Sequence, residues 1–189
     1  MRRVLYLLAA VALVVVVVIG VGQAGREDGG EAAQTFDLEQ AKQQLAGAPP
    51  PLAALYADAS TIRDSGFDAQ LEDLKGHPVV INKWASWCRP CRAEFPIFQQ
   101  VATERGKEVA FLGVNAADKR PAAEEFLRER PLPYPSFEDP DEDIARGLKV
   151  SKYFPMTVFV DEQGKTAFTK AGEYASKAEL EADIDKYLG

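Results

Sequence analysis

The only two cysteines of this 189-residue chain lie three residues apart, in the run WASWCRPCRAEFP at residues 84–96. The apolar residues 79–81 before them predict a strand, and Pro90 favours the first turn of a helix. Residues three apart on a helical turn share a face, with Cβ atoms about 5–6 Å apart. A disulfide needs Cα atoms about 4.4–6.8 Å apart. Cys88 and Cys91 can therefore form and break a disulfide with little backbone movement.

Cys88 is predicted at the helix N-terminus, where unpaired N–H groups and the helix dipole favour an anion. Such surroundings can lower the pKa of a thiol from ~8.5 into the range ~3.5–7.5, and Arg89 can add positive potential beside it. Cys91 lies one turn further into the helix and is expected to be more buried. We therefore expect Cys88 to attack a partner as a thiolate, and Cys91 to resolve the mixed disulfide.

Three other uses of the cysteine pair are a structural disulfide, half of a zinc site, and two small apolar residues. A structural bridge over so short a loop constrains little of the unfolded chain. Zinc needs four ligands, and the chain offers two cysteines and one histidine, His77, which is interpreted as a solvated turn residue. The acidic run at residues 137–141 is interpreted as a turn that caps a helix. Redox use is therefore the prediction, with no cofactor and no metal.

The run WASWCRPC and the EFP that follows it resemble the thioredoxin superfamily, and within it the membrane-anchored TlpA/ResA-like thiol–disulfide oxidoreductases. The run YFPMTVFVD at residues 153–161 is similar to the proline-plus-strand element of that family. The resemblance covers residues 76–189 and implies an α/β fold, a thioredoxin-like three-layer sandwich with a central mixed sheet. It also implies that Pro155 is a cis-proline facing the disulfide, beside a Phe154-Pro155 edge that an extended partner can pair with. The alternative is an ordinary proline that begins a strand.

The resemblance also implies which group exchanges protons with the cysteines. Thioredoxin carries a buried aspartate six residues before the first cysteine, where this chain has Asn82, whose amide cannot accept a thiol proton. Glu94 is then the candidate acid and base, because burial raises the pKa of a carboxyl toward neutrality. The alternative is a solvated helix glutamate. The predicted surround of the cysteine pair consists of Trp84, Trp87, Arg89, Pro90, Phe154 and Pro155.

Lys83 departs from the family pattern, which has an aromatic or aliphatic residue beside the tryptophan. A lysine within a central-strand pattern either lies at a solvated edge of the sheet or pairs with a carboxylate near the site. The sequence assigns Lys83 no role.

Residues 4–21 form an uncharged run of mostly Val, Leu and Ala that follows Arg2 and Arg3. Eighteen helical residues reach about 27 Å, close to the ~30 Å hydrocarbon core of a bilayer. We predict a transmembrane helix, as an anchor or uncleaved signal; cleavage near residues 22–24 is the alternative. The positive-inside rule makes residues 1–3 a cytoplasmic stub. The catalytic domain is then expected on the extracytoplasmic side of the cell membrane.

The rest of the chain is divided into a flexible linker at 22–35, a helical N-terminal extension at 36–75 and the thioredoxin-like domain at 76–189. Net charge is −7, and without Arg2 and Arg3 it is −9, from 20 basic and 29 acidic residues. This acidity argues against a nucleic-acid partner. Further elements are predicted as strands at 109–114, 156–160 and 166–170 and helices at 121–130, 141–148 and 178–188.

Two classes of function follow. The resemblance implies a membrane-tethered monomeric enzyme that reduces disulfides of exported proteins, such as apocytochrome c or copper-site proteins, and is recharged by a membrane thiol donor. An unusually stable reduced pair would instead make it an oxidant that introduces disulfides. The other class is a copper or client binding protein without turnover, since two thiols can bind Cu(I). No methionine or histidine cluster supports copper binding.

Overall fold

The computed structural model describes residues 36–189. The predicted cytoplasmic stub, transmembrane helix and linker, at residues 1–35, lie outside the described residues. Of the helices in residues 36–189, none combines the length and the apolar composition that a membrane span requires.

Helices and strands alternate along most of the described chain. In chain order the elements are α1 (Leu38–Leu45), α2 (Pro50–Ala57), β1 (Ile62–Arg63), α3 (Phe67–Asp73), β2 (Val79–Trp84), α4 (Arg89–Arg105), β3 (Ala110–Ala116), α5 (Arg120–Glu129), β4 (Ser136–Asp139), α6 (Asp143–Gly147), β5 (Met156–Val160), β6 (Thr166–Ala171) and α7 (Lys177–Leu188).

The strands form one mixed sheet in the order β1-β4-β3-β2-β5-β6. The strands β1, β4, β3 and β2 run parallel, whereas β5 is antiparallel to β2 and β6 is antiparallel to β5. Right-handed crossovers from β2 to β3 and from β3 to β4 place α4 and α5 on one face. The crossover from β1 to β2 passes across the sheet in the opposite direction, so that the same right-handedness places α3 on the opposite face. The predicted thioredoxin-like α/β fold with a mixed sheet is confirmed.

Two short strands were not expected from the sequence. Residues 62–63 continue the helical spacing of the segment before them, and residues 137–141 suggested only a turn, yet β1 pairs with β4 and β4 pairs with β3. Strands of two and four residues are too short to give a clear alternating pattern. The segment 36–75 therefore contributes a strand as well as helices. The capping part of the interpretation is confirmed, because the Asp139 carboxylate accepts hydrogen bonds from the first turn of α6.

The strand β2 lies between β3 and β5, and all six of its residues are buried. It ends at Trp84, whose ring packs edge-on against Phe95 of α4 and whose Nε1 donates to Ser136 Oγ at 3.1 Å. Gly113 of β3 permits this packing, since a Cβ there would lie 2.1 Å from Ser136 Oγ. The end of β2 and the start of α4 are thus held together by the core.

Candidate active site

Cys88 and Cys91 are joined by a disulfide at the start of α4, with their Cα atoms 5.3 Å apart. Cys88 is the N-cap residue of that helix, and its Sγ accepts a hydrogen bond from the backbone N–H of Cys91 at 3.2 Å. A thiolate at this position would receive the same N–H and the positive end of the dipole of a 17-residue helix. Cys88 is 3% exposed and Cys91 0%, so the second cysteine is the more enclosed.

The turn that leads into Cys88 is supported by a loop at the end of β3. The Asp118 carboxylate accepts hydrogen bonds from Ser86 N at 2.5 Å, Ser86 Oγ at 2.9 Å and Asn115 Nδ2 at 2.9 Å. The backbone carbonyl of Ala117 accepts from Trp87 Nε1 at 2.9 Å. Sequence reasoning missed Asp118. The topology could have indicated it, because Ser86 follows β2 and Asp118 follows β3. The carboxyl ends of neighbouring parallel strands lie at one edge of a sheet.

The Phe154–Pro155 peptide bond is cis, as the resemblance implies. Pro155 is buried immediately before β5, whose first residue, Met156, pairs with Lys83 of β2. The ring of Phe154 lies 5.0 Å from the ring of Trp87, the residue before Cys88. The start of β5 and the turn that carries Cys88 are therefore neighbours at the same edge of the sheet.

Glu94 is fully buried, one helical turn after Cys91 on α4. Its carboxylate accepts hydrogen bonds from Asn82 Nδ2 at 2.7 Å and from the backbone N–H of Tyr174 at 3.1 Å. Burial raises the pKa of Glu94 to about 8, and these two hydrogen bonds lower it only in part. The alternative of a solvated helix glutamate is wrong. Residues three apart share a helix face, so Glu94 lies on the same face of α4 as Cys91.

The other residues of the predicted surround lie at different depths. Trp84 is fully buried in the core. Trp87 is 59% exposed, Phe154 is half-buried, and Arg89 and Pro90 occupy the exposed and half-buried first turn of α4. Trp87 and Phe154 are thus in contact at the turn that carries Cys88, with Pro155 directly after Phe154, whereas Trp84 is enclosed in the core.

Lys83 is buried in the central strand, with 1% of its side chain exposed. Its Nζ lies 2.7 Å from Glu142 Oε1. The expectation of a solvated sheet edge is therefore wrong, and that of a carboxylate partner is confirmed. The sequence could not identify Glu142, which lies 59 residues further along the chain.

Most of this chain is similar to known proteins. The family model described as Redoxin matches residues 31–187. The thiol:disulfide interchange protein DsbE of Pseudomonas fluorescens biotype C is 40% identical over 93 residues, which are 49% of this chain and 50% of that protein. The thiol-disulfide oxidoreductase ResA of Oceanobacillus iheyensis is 29% identical over 137 residues, which are 72% of this chain and 61% of that protein.

The matched segments thus span between half and two thirds of these two relatives. Among solved structures, one described as a thiol:disulfide interchange protein DsbE of Chlorobium tepidum superposes with a TM-score of 0.57 and 33% identity, covering 63% of this chain and 85% of that one. With the family model matching most of its length, the chain belongs to the Redoxin family, among relatives named ResA and DsbE.

Proposed function

We propose that this chain is a thiol–disulfide oxidoreductase in which Cys88 attacks and Cys91 resolves. One observation carries the proposal: the disulfide lies at the N-terminus of α4, and one turn behind it lies a buried carboxyl whose pKa is raised to about 8. A purely structural bridge of this length would gain little from loop closure and would not need Glu94. The names of the relatives, interchange protein and oxidoreductase, point the same way.

In the proposed reaction the reduced enzyme meets a client disulfide. The Cys88 thiolate attacks one client sulfur, the client S–S bond breaks, and a mixed disulfide forms while the other client sulfur leaves and takes up a proton. The Cys91 thiol then gives its proton to the Glu94 carboxylate and attacks Cys88 Sγ. The bond between Cys88 and the client breaks, and the second client sulfur leaves as a thiolate that takes up the proton from Glu94. Two electrons have moved to the client, and the enzyme holds its disulfide.

Direction and compartment are part of the proposal. We infer reduction of exported proteins with cysteine pairs, such as apocytochrome c or copper-site proteins, by a monomer that a membrane thiol donor recharges. Supporting this are the resemblance to TlpA/ResA-like proteins and the apolar run at residues 4–21. That run would tether the enzyme with its catalytic domain on the extracytoplasmic side.

The deciding experiment measures the equilibrium reduction potential of the full chain in glutathione and dithiothreitol buffers, read by tryptophan fluorescence. A potential near or below thioredoxin's roughly −270 mV supports a reductase, and one toward ~−120 mV indicates an oxidant.

The same preparation is then given an oxidised peptide with a C-x-x-C-H pair. Cys88→Ser should abolish reduction of the peptide, and Cys91→Ser should trap it as a mixed disulfide. A Cys88→Ser variant with full function in cells would instead indicate a binding protein without turnover.

A further inference from the structure

The amino group of Lys83 is enclosed by the segment that leads to the cis-proline. Besides the carboxylate of Glu142, Nζ donates to the backbone carbonyls of Val150 at 3.0 Å, Ser151 at 3.3 Å and Tyr153 at 3.3 Å. An ammonium group has three protons to donate, so these four acceptors saturate it. The carbonyls at 150, 151 and 153 are turned inward around one side chain.

This arrangement makes the segment dependent on Lys83. A buried ammonium is tolerated only when it is paired and hydrogen-bonded, and the inward carbonyls lose their common donor when it is removed. The side chain of Glu142 is 26% exposed and can be rehydrated, whereas Val150 is 1% exposed. Residues 150–153 would then have to turn outward to reach water.

The same amino group also contacts the predicted client-binding element. Nζ lies 3.7 Å from the centroid of the Phe154 ring, a cation–π distance. That ring packs against Trp87, next to Cys88. A continuous set of contacts therefore runs from Glu142 through Lys83 and Phe154 to the turn that carries the attacking sulfur.

We propose that Lys83 is a positioning residue that holds residues 150–154 beside the disulfide and thereby determines how well the enzyme exchanges with protein disulfides as opposed to small thiols. The inference rests on the proposed function. Under that function a protein client pairs with the Phe154-Pro155 edge, whereas glutathione is too small to depend on much of that edge. Lys83 touches neither sulfur, so its influence passes through the segment.

The test compares two lysine variants of the full chain. Lys83→Met removes the buried ammonium, and Lys152→Met, in the same segment, removes an exposed one. For reduction of an oxidised C-x-x-C-H peptide, Lys83→Met should raise KM about tenfold with kcat within twofold. The reaction with glutathione should stay within twofold. Lys152→Met should change none of these values by more than twofold.

Hydrogen exchange measures the positioning itself, apart from any activity. The amide of Val150 donates to Ala145 O at 2.8 Å, and that of Gly172 donates to Pro155 O at 3.0 Å. Lys83→Met should speed exchange of both amides at least tenfold, with no change at Ile184 of α7. Unchanged exchange at Val150 and Gly172 would overturn the proposal, as would an equal loss of activity toward peptide and glutathione.

One further variant tests the proposal if Lys83→Met does not fold, and a double variant tests the route of the effect if it does. Glu142→Gln keeps an acceptor for Lys83 but removes the charge, and should raise KM for the peptide about threefold; an unchanged KM counts against the proposal. In a Phe154→Leu background, adding Lys83→Met should raise KM by clearly less than tenfold, because part of the effect of Lys83 passes through that ring; a full tenfold rise would count against the proposal.

If the wild-type chain reduces no peptide, the proposed function is wrong, and so is the inference that Lys83 favours exchange with protein disulfides. Exchange at Val150 and Gly172 then still decides whether Lys83 holds the segment.

Discussion

Two adjacent residues of β2, Asn82 and Lys83, support the site from opposite faces of the sheet, since neighbouring strand residues point to opposite sides. Asn82 donates to Glu94 on α4, and Lys83 donates to Glu142 at the start of α6. Both carboxyls thus receive a short hydrogen bond from β2. They differ in the charge of the donor.

The charge of the donor distinguishes a carboxyl suited to proton transfer, Glu94, from one that serves structure, Glu142. Glu94 is buried among neutral donors, an amide and a backbone N–H, so desolvation raises its pKa to about 8. Glu142 forms an ion pair with an ammonium group, and this pairing holds both side chains in place. The proposed role of Glu94 as a proton carrier thus goes with neutral partners, whereas a partner of opposite charge makes the partly exposed Glu142 a structural anchor.

The largest expected effect is the pH dependence of stability that Glu94 contributes. With a pKa of about 8 in the folded protein against an ordinary 4.5, the folded state binds more protons than the unfolded chain between these values. The free energy of unfolding therefore falls as pH rises from 5 to 8. Relative to Glu94→Gln, the wild type should lose on the order of 4 kcal/mol over this range.

Urea unfolding of the oxidised proteins at several pH values checks this loss. Glu104→Gln, an exposed change on the same helix, is the control and should follow the wild type. If the free energy of unfolding changes with pH in the same way for the wild type and Glu94→Gln, Glu94 does not carry a proton in the folded state. The contrast with Glu142 would then disappear.

Next in size is the kinetic effect of the same substitution. Glu94→Gln should slow reduction of an oxidised C-x-x-C-H peptide about 100-fold at pH 7, in the range typical of a lost general base. The mixed disulfide with Cys88 should accumulate, because Cys91 has no carboxylate to take its proton. Rapid-quench trapping of that species measures the step, with Glu104→Gln as the unaffected control. A slower reaction without accumulation would assign Glu94 to the first attack instead.

How much of this site the sequence predicts depends on whether its parts are local. Cys88, Cys91 and Glu94 lie on one helix, and the order of residues 88–94 alone indicates their relative positions. The cis-proline was predicted from the resemblance to a family, and not from the residues around it. The partners of Lys83 lie 59 to 70 residues away and depend on how β4, α6 and β5 pack. The same holds for Asp118, 32 residues from Ser86, and for the short pair β1 and β4, which only the sheet defines.

A smaller effect is expected from breaking the Lys83 pair. Lys83→Met should destabilise the protein by about 2 kcal/mol, less than the 3–5 kcal/mol typical of a broken buried pair, because Glu142 is partly exposed. Adding Glu142→Gln should recover about 1 kcal/mol of this loss, since no unpaired carboxylate remains. Urea unfolding of the two single variants and the double variant gives the coupling. Strictly additive losses would mean that the two side chains do not act as a pair.

The smallest effect concerns Asp118, which supports the turn before Cys88 without touching either carboxyl of the comparison. An amide at this position keeps one acceptor oxygen where the carboxylate uses two. One of these accepts from Ser86 Oγ and Lys119 N, and the other from Ser86 N and Asn115 Nδ2. Asp118→Asn should therefore cost about 1 kcal/mol, which for a domain of this size lowers Tm by about 2–4 °C. Calorimetry of the oxidised form measures this decrease in Tm, and Asp68→Asn, on the surface of α3, is the control.

Because the turn supported by Asp118 carries Cys88, the decrease in Tm should be accompanied by slower attack on both peptide and glutathione. That equal loss is the opposite of the selective loss expected for Lys83→Met, so the two variants separate support of the attacking sulfur from support of the client.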